Sequence, residues 1–251
     1  EPEMSQGNGI LVVGELSGNQ ISLTTSEVLA AARKLAEGTD NLVTISFLAN
    51  EVPSEATESA IAFGADKVYK IEDALLSDQG TEAWVAALQK LCQQEQPAII
   101  LMGKTVMGRD VLPRLAFRLD SGLLQDCIEL WIDQDTHYLT ANRPVYGGSA
   151  IATVTHKGAP QVACLRLKAF QPLEHDSSRQ GEVIIFRPDL EDSVVRIKRV
   201  DRVQEPVAGV RLEDASVIIG GGRGLGGPEP FDQLQELATL LGGAVGASRA
   251  V

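Results

Sequence analysis

Apolar residues alternate between two rhythms along the first half of the chain. GILVVGEL (9–16), NLVTISFLAN (41–50), DKVYKI and AIILMG (98–103) are short, nearly continuous apolar runs. Between them lie segments whose apolar residues return every three or four positions. After GILVVGEL, Thr24 and Glu27 have capping-box spacing, and Val28, Leu29, Ala32, Leu35 and Ala36 share one face before Gly38 stops the helix. A second helix is predicted from about Pro53 to Phe63, closed by Gly64, and a third over 81–94. The next is RDVLPRLAFRL, with Pro113 expected in its first turn. Continuous apolar strands alternating with amphipathic helices predict a mostly parallel sheet with helices on both faces, an α/β fold.

Beyond Gly122 the rhythm changes. LQDCIELWI, YLTANRPVYGGSAIATVTH and PQVACLRLKAF are β-rich stretches parted by polar turns, expected as antiparallel or edge additions to the same sheet. SVVRIKRVDRV alternates charged with β-branched residues and is expected as an extended strand leaving the domain. The polar stretch 205–215, with Pro206 and Gly209, is the expected linker. The division that follows is an α/β domain over 9–204, a linker over 205–215 and the first part of a second doubly wound nucleotide-binding domain over 216–251. That last segment has a strand, a glycine loop, a helix with Phe231, Leu234, Leu237, Ala238 and Leu241 on one face, and the start of another strand. So short a unit is not expected to close a core by itself.

Composition narrows the chemistry. A net charge of −12 argues against nucleic acid or an anionic membrane as the main partner, since both reward a basic face. Three widely spaced cysteines in apolar contexts are expected as buried thiols in a reducing compartment. The polar, acidic start resembles neither a secretory nor a transit segment, and no apolar run approaches the roughly 18 residues of a membrane span. His137, His156 and His175 lack ligand spacing, so no metal is indicated. No nucleophile elbow supports hydrolysis.

The candidate site is SVIIGGGRGLGGPEPFDQL (216–234). Gly222, Gly224 and Gly227 fit G-x-G-x-x-G between a predicted strand and helix, where bare backbone and helix amides approach phosphate. Arg223 adds a cation suited to a phosphate or an electron-rich ring. The next strand, GAVGASRAV, ends in Ser248 and Arg249 rather than an acid, which disfavours ordinary NAD. An NADP site with Arg249 on the extra phosphate stays open, as does an interaction module without flavin. Gly103-Lys104-Thr105 mimics only the tail of a phosphate loop, while Arg109, Asp110, Arg114 and Arg118 on one helix, and Arg143 and Tyr146, are candidates for a subunit or cofactor contact.

At these residues the sequence resembles a known family. GGGRGLGGPEPFDQLQELATLLGGAVGASRAV, GRDVLPRLAFRLDSGLLQDC (108–127) and RPVYGGSAIATV (143–154) are similar to signatures of electron transfer flavoprotein alpha subunits. The resemblance implies FAD shared with a beta subunit as a heterodimer. It also implies electrons relayed from dehydrogenases of the acyl-CoA type to a downstream, quinone-linked acceptor, by a carrier rather than an enzyme, in the cytoplasm or a mitochondrial matrix. It places Gly222, Arg223, Gly224, Ser248 and Arg249 on the FAD, with Arg249 beside the flavin ring raising its potential. Gly226 and Gly227 stand where the family has larger or polar residues, and the family's FAD domain continues past GASRA, so weak flavin retention by this chain alone is expected.

Overall fold

The structure is a computed structural model and describes residues 9–77, 80–197, 200–201, 203, 212, 215–248 and 251. The chain divides into two compact units, Glu1–Lys198 and Arg199–Val251.

In the first unit the elements run β1 (Ile10–Val13), β2 (Leu16–Ser17), β3 (Gln20–Ile21), α1 (Leu23–Ala36), β4 (Val43–Ala49), α2 (Ser54–Ala62), β5 (Lys67–Glu72), α3 (Thr81–Glu95), β6 (Ile99–Gly103) and α4 (Val106–Arg118). They continue with β7 (Leu123–Cys127), β8 (Glu129–Ile132), β9 (Leu139–Val145), β10 (Ala150–Thr155), β11 (Gln161–Leu165) and β12 (Glu182–Phe186). Seven strands form one parallel sheet in the order β12-β5-β4-β1-β6-β11-β7. Its two central strands β1 and β6 have no polar side chain because both faces are covered. Ile10 and Val12 point into a core built with α1, α2 and the β8–β9 pair, while Leu11 and Val13 point into the opposite core with α3 and α4.

Several local expectations are corrected. Helix α1 is capped by Ser22, whose side chain accepts from the Thr25 amide, and begins before Thr24; Glu27 instead accepts from the Lys168 amide at 2.9 Å. Pro113 lies in the middle of α4, since Thr105 caps the helix a full two turns earlier through the Gly108 amide at 2.9 Å. Pro113 is exposed to solvent there. The β-rich stretches after Gly122 are not all antiparallel or edge additions. β8, β9 and β10 form a separate antiparallel sheet, β7 is a parallel edge strand, and β11 occupies an interior slot between β6 and β7 with all five residues buried. The segment expected as a strand from Ser193 contains a 3-10 turn, Asp192–Val194, and then irregular backbone among its described residues. Arg196 in that segment pairs with Glu82.

The second unit holds β13 (Ile218–Gly221), α5 (Pro230–Leu240) and β14 (Ala244–Ala247). β13 and β14 pair in parallel, Ile218 opposite Ala244 and Gly221 opposite Ala247. Ala238 is buried, and Gly242 (φ 62°) ends the helix in the left-handed region that glycine tolerates. All three cysteines are buried and free. Among the described residues no helix is long and apolar enough to cross a membrane, and no cluster of His, Cys, Asp or Glu is placed to hold a metal.

Candidate functional site

The glycine loop leaves the C-terminal end of β13. It folds into a 3-10 turn over Arg223–Leu225, closed by the Leu225 amide donating to Gly222 O at 3.0 Å and the Gly226 amide to Arg223 O at 3.1 Å. Gly226 adopts φ 80°, which only glycine takes without strain. α5 starts at Pro230 rather than directly on the motif, so its first turn lies three residues beyond Gly227. The backbone presented at the strand end is therefore that of the turn itself.

The glycines separate by what a side chain would meet. A Cβ on Gly221 would lie 2.5 Å from the Phe231 ring, so that glycine lets α5 pack on β13. A Cβ on Gly222 or Gly224 would meet nothing within 4 Å. Packing inside the chain does not call for glycine at those two positions. Their bareness instead leaves backbone open to a group from outside, the requirement of a phosphate cradle. Gly222 lines a concavity of about 610 Å³ together with Arg223, Gly226, Gly227, Phe231 and Ala247. That volume is within the range of cofactor clefts. Arg223 is exposed and forms no ion pair among the described residues. The donor set of bare turn backbone, one guanidinium and an aromatic wall fits a dinucleotide with a flat ring system. Ser248 follows β14 directly, next to the cavity-lining Ala247, and is exposed; its carbonyl accepts from the Val251 amide at 3.0 Å. Arg249 lies outside the described residues.

The other candidates sit in the first unit. Gly103-Lys104-Thr105 follows β6, but a Cβ on Gly103 would strike the Thr24 methyl at 2.1 Å and one on Gly108 would strike Gly103 O at 2.0 Å. Those glycines serve close packing. Thr105 Oγ1 donates to Glu15 at 2.6 Å, and burial raises the Glu15 carboxyl despite that bond. Lys104 and Arg166 both reach Asp126, at 2.8 and 2.7 Å. Asp126 stands where β7 bulges against β11, at φ 65°, which turns its carboxylate out of the ladder. The hydrogen bond from Arg166 is the main cause that holds its carboxyl down to about 2, with Lys104 contributing. Sequence reasoning missed this trio, because its members come from three strand ends that only the sheet order brings together. On α4, Arg109, Asp110, Arg114 and Arg118 are exposed, and Arg118 donates to Gln89 at 3.1 Å. Arg143 is half-buried on β9 with its Nε unpartnered, and Tyr146 tips the β9–β10 hairpin, 86% exposed. Two of the three histidines do structural work: His156 Nε2 accepts from the Gly122 amide at 2.8 Å, and His175 stands edge-on to Phe63.

Comparison with known proteins agrees with the division of chemistry. Residues 10–191 match the family model described as the electron transfer flavoprotein domain, and residues 211–251 match the electron transfer flavoprotein FAD-binding domain. The chain is 37% identical to the electron transfer flavoprotein subunit alpha of Thermoanaerobacterium thermosaccharolyticum, over 98% of this chain and 74% of that one. Identity to the subunit of the same name from Megasphaera elsdenii is 36%, over 99% and 74% respectively. Protein FixB of Clostridium saccharobutylicum is 31% identical, over 96% of this chain and 72% of its own length.

Proposed function

The chain belongs to the electron transfer flavoprotein family as an alpha-subunit-type member, and from that premise we propose that it carries electrons through an FAD held jointly with a beta-type subunit. The observation that supports this most directly is the open glycine position at Gly222, which lines a cofactor-sized concavity together with Arg223, with the equally open Gly224 next in the same turn. Bound FAD supplies one- and two-electron redox chemistry that no side chain of the protein offers. The protein's own part is binding and tuning. The backbone at Gly222 and Gly224 admits the pyrophosphate at close range, and Arg223 opposes its charge or lies over an electron-rich ring. Ser248 donates its hydroxyl to an acceptor on the cofactor, and Arg249 favours the reduced, anionic form electrostatically.

In this reading residues 9–204 form the scaffold against which the partner subunit is held, 205–215 link it to the cofactor segment, and 216–251 begin the FAD-binding domain. Electrons arrive from dehydrogenases of the acyl-CoA type, as in fatty acid oxidation, and leave to a quinone-linked acceptor in the cytoplasm. The names of the relatives support the carrier role.

The test is the visible absorption spectrum of the chain co-purified with its beta-type partner, before and after mild reduction. Flavin bands that bleach on reduction and are lost in Arg223→Ala, with the complex intact, support the proposal. A colourless complex, or release of a nicotinamide nucleotide on denaturation, overturns it.

A further inference from the structure

At the N-terminal ends of β1, β6 and β11, away from the C-terminal strand ends where α/β sheets usually bind ligands, the first unit contains a cleft of about 570 Å³. Its floor is apolar, from Ile10, Leu35, Ile99 and Leu130, and its wall is aromatic, from Trp131 and Tyr138. Lys34 and Lys157 stand at its edge, with His137 and Glu37. Neither lysine forms an ion pair among the described residues, in a chain whose net charge is −12.

The walls are preformed. The 133–138 turn is closed by the His137 amide donating to Asp133 O at 2.8 Å and by Thr136, whose amide and hydroxyl both donate to Asp133 Oδ1 at 2.9 and 2.7 Å. His137 holds φ 57° in that turn. The 36–41 turn is closed by the Thr39 hydroxyl donating to Ala36 O at 2.9 Å. Gln161, at the back of the cleft, takes the Leu139 amide and donates to His156 O at 3.4 Å. A concave, apolar, largely rigid site with a few convergent polar groups has the anatomy of a small-molecule site.

We propose that this cleft binds a small aromatic carboxylate. The flat apolar body lies on the Trp131–Tyr138 wall, and the carboxylate meets Lys34 and Lys157 at the edge. A phosphate ester fits less well. The helix end at the cleft is the C-terminus of α1, whose carbonyl dipoles oppose a dianion, and Glu37 adds a negative charge; two lysines suffice for one carboxylate. Neither the glycine loop nor the flavin is involved, so the proposal stands or falls apart from the electron-carrier reading.

The test uses the full chain and 2-naphthoate as the probe, titrated by intrinsic fluorescence. The chain has two tryptophans, Trp131 in the cleft and Trp84 buried in the opposite core, so a change at Trp131 reports the site. The expected result is saturable quenching that disappears in Trp131→Phe. Calorimetry of that variant still registers binding. The double variant Lys34→Ala/Lys157→Ala, with unchanged circular dichroism, raises Kd about tenfold or more, roughly 1.4 kcal/mol, and the neutral carboxamide binds as weakly to the native chain. Absence of saturation up to about a millimolar Kd, the regime of non-specific contact, overturns the proposal. So does equal affinity of the double variant, or equal affinity for acid and amide.

Discussion

Replacing Asp126 by asparagine isolates the charge of the residue that joins three strand ends. Asparagine keeps the shape and tolerates the left-handed backbone at φ 65°, so the substitution removes the carboxylate with little backbone cost. In the native chain Asp126 is about nine-tenths buried and bonded to Arg166 and Lys104, and its carboxyl falls from 3.8 to about 2. At about 1.4 kcal/mol per pH unit that lowering corresponds to about 2.5 kcal/mol. Both cations are partly solvated, with side chains 31% and 45% exposed, so screening reduces the expected loss to about 1–2 kcal/mol. The sign follows from linkage. A carboxyl whose folded pKa is depressed stabilises fully above its unfolded value near 4, and the contribution is lost as pH falls through about 2. The gap between Asp126→Asn and the native chain should be constant from pH 8 to 5 and close below pH 4. Urea unfolding followed by tryptophan fluorescence reads it directly, because both tryptophans lie in the first unit. A gap at pH 7 within about 0.5 kcal/mol, the range of inert surface changes, refutes the reasoning. A gap that widens toward acid refutes it equally.

Other consequences are as open to measurement. Burial pushes the thiols of Cys92, Cys127 and Cys164 up to about 12; an aromatic disulfide reagent at pH 8 should leave the folded chain untouched and titrate all three in denaturant, and prompt native labelling would contradict the packing. Thr105→Ala removes both the α4 cap and the hydroxyl partner of Glu15, costing about 1–2 kcal/mol in the same urea assay, while Thr105→Ser restores most of it. Gly221→Ala drives a Cβ into Phe231 and should destabilise the second unit by about 1–3 kcal/mol, visible as faster proteolysis between 215 and 248. Gly222→Ala should leave proteolysis unchanged yet lower the flavin content of the complex with a beta-type partner; unchanged flavin there would mean that the cradle lies elsewhere.

The parallel core was legible because a strand covered on both faces is mostly apolar: β1 and β6 carry that mark without interruption, and β4 carries it but for Thr44 and Ser46. β11 is apolar after Gln161, in VACL, yet its place was not legible. The strands that precede it in sequence, β8 to β10, form an antiparallel sheet of their own, and only the three-dimensional return of the chain puts it between β6 and β7. Pro113 misled for a local reason: a proline usually marks a first turn, whereas the true start is written in Thr105 and Gly108, one capping hydrogen bond away from Val106. The Asp126 trio left no trace at all. Lys104, Asp126 and Arg166 are separated by 22 and 40 positions and meet only through the register of β6, β11 and β7.

Glycine spacing was the most informative signal and also the most ambiguous, and the structure shows why. Two loops follow apolar strands with glycines and a basic residue, one at Gly103-Lys104 and one at Gly222-Arg223. In the first, every position where a phosphate would need bare backbone is already filled from within: Thr24 covers Gly103, Gly103 O lies against Gly108, and Glu15 occupies the Thr105 hydroxyl at the start of α4. In the second, Gly221 and Gly226 answer to packing and to a left-handed turn, while Gly222 and Gly224 answer to neither. A glycine whose Cβ position is filled is explained by the fold. One whose Cβ position is empty and whose φ any residue could adopt leaves the backbone open to an approach from outside, and of these two loops only the second offers such positions.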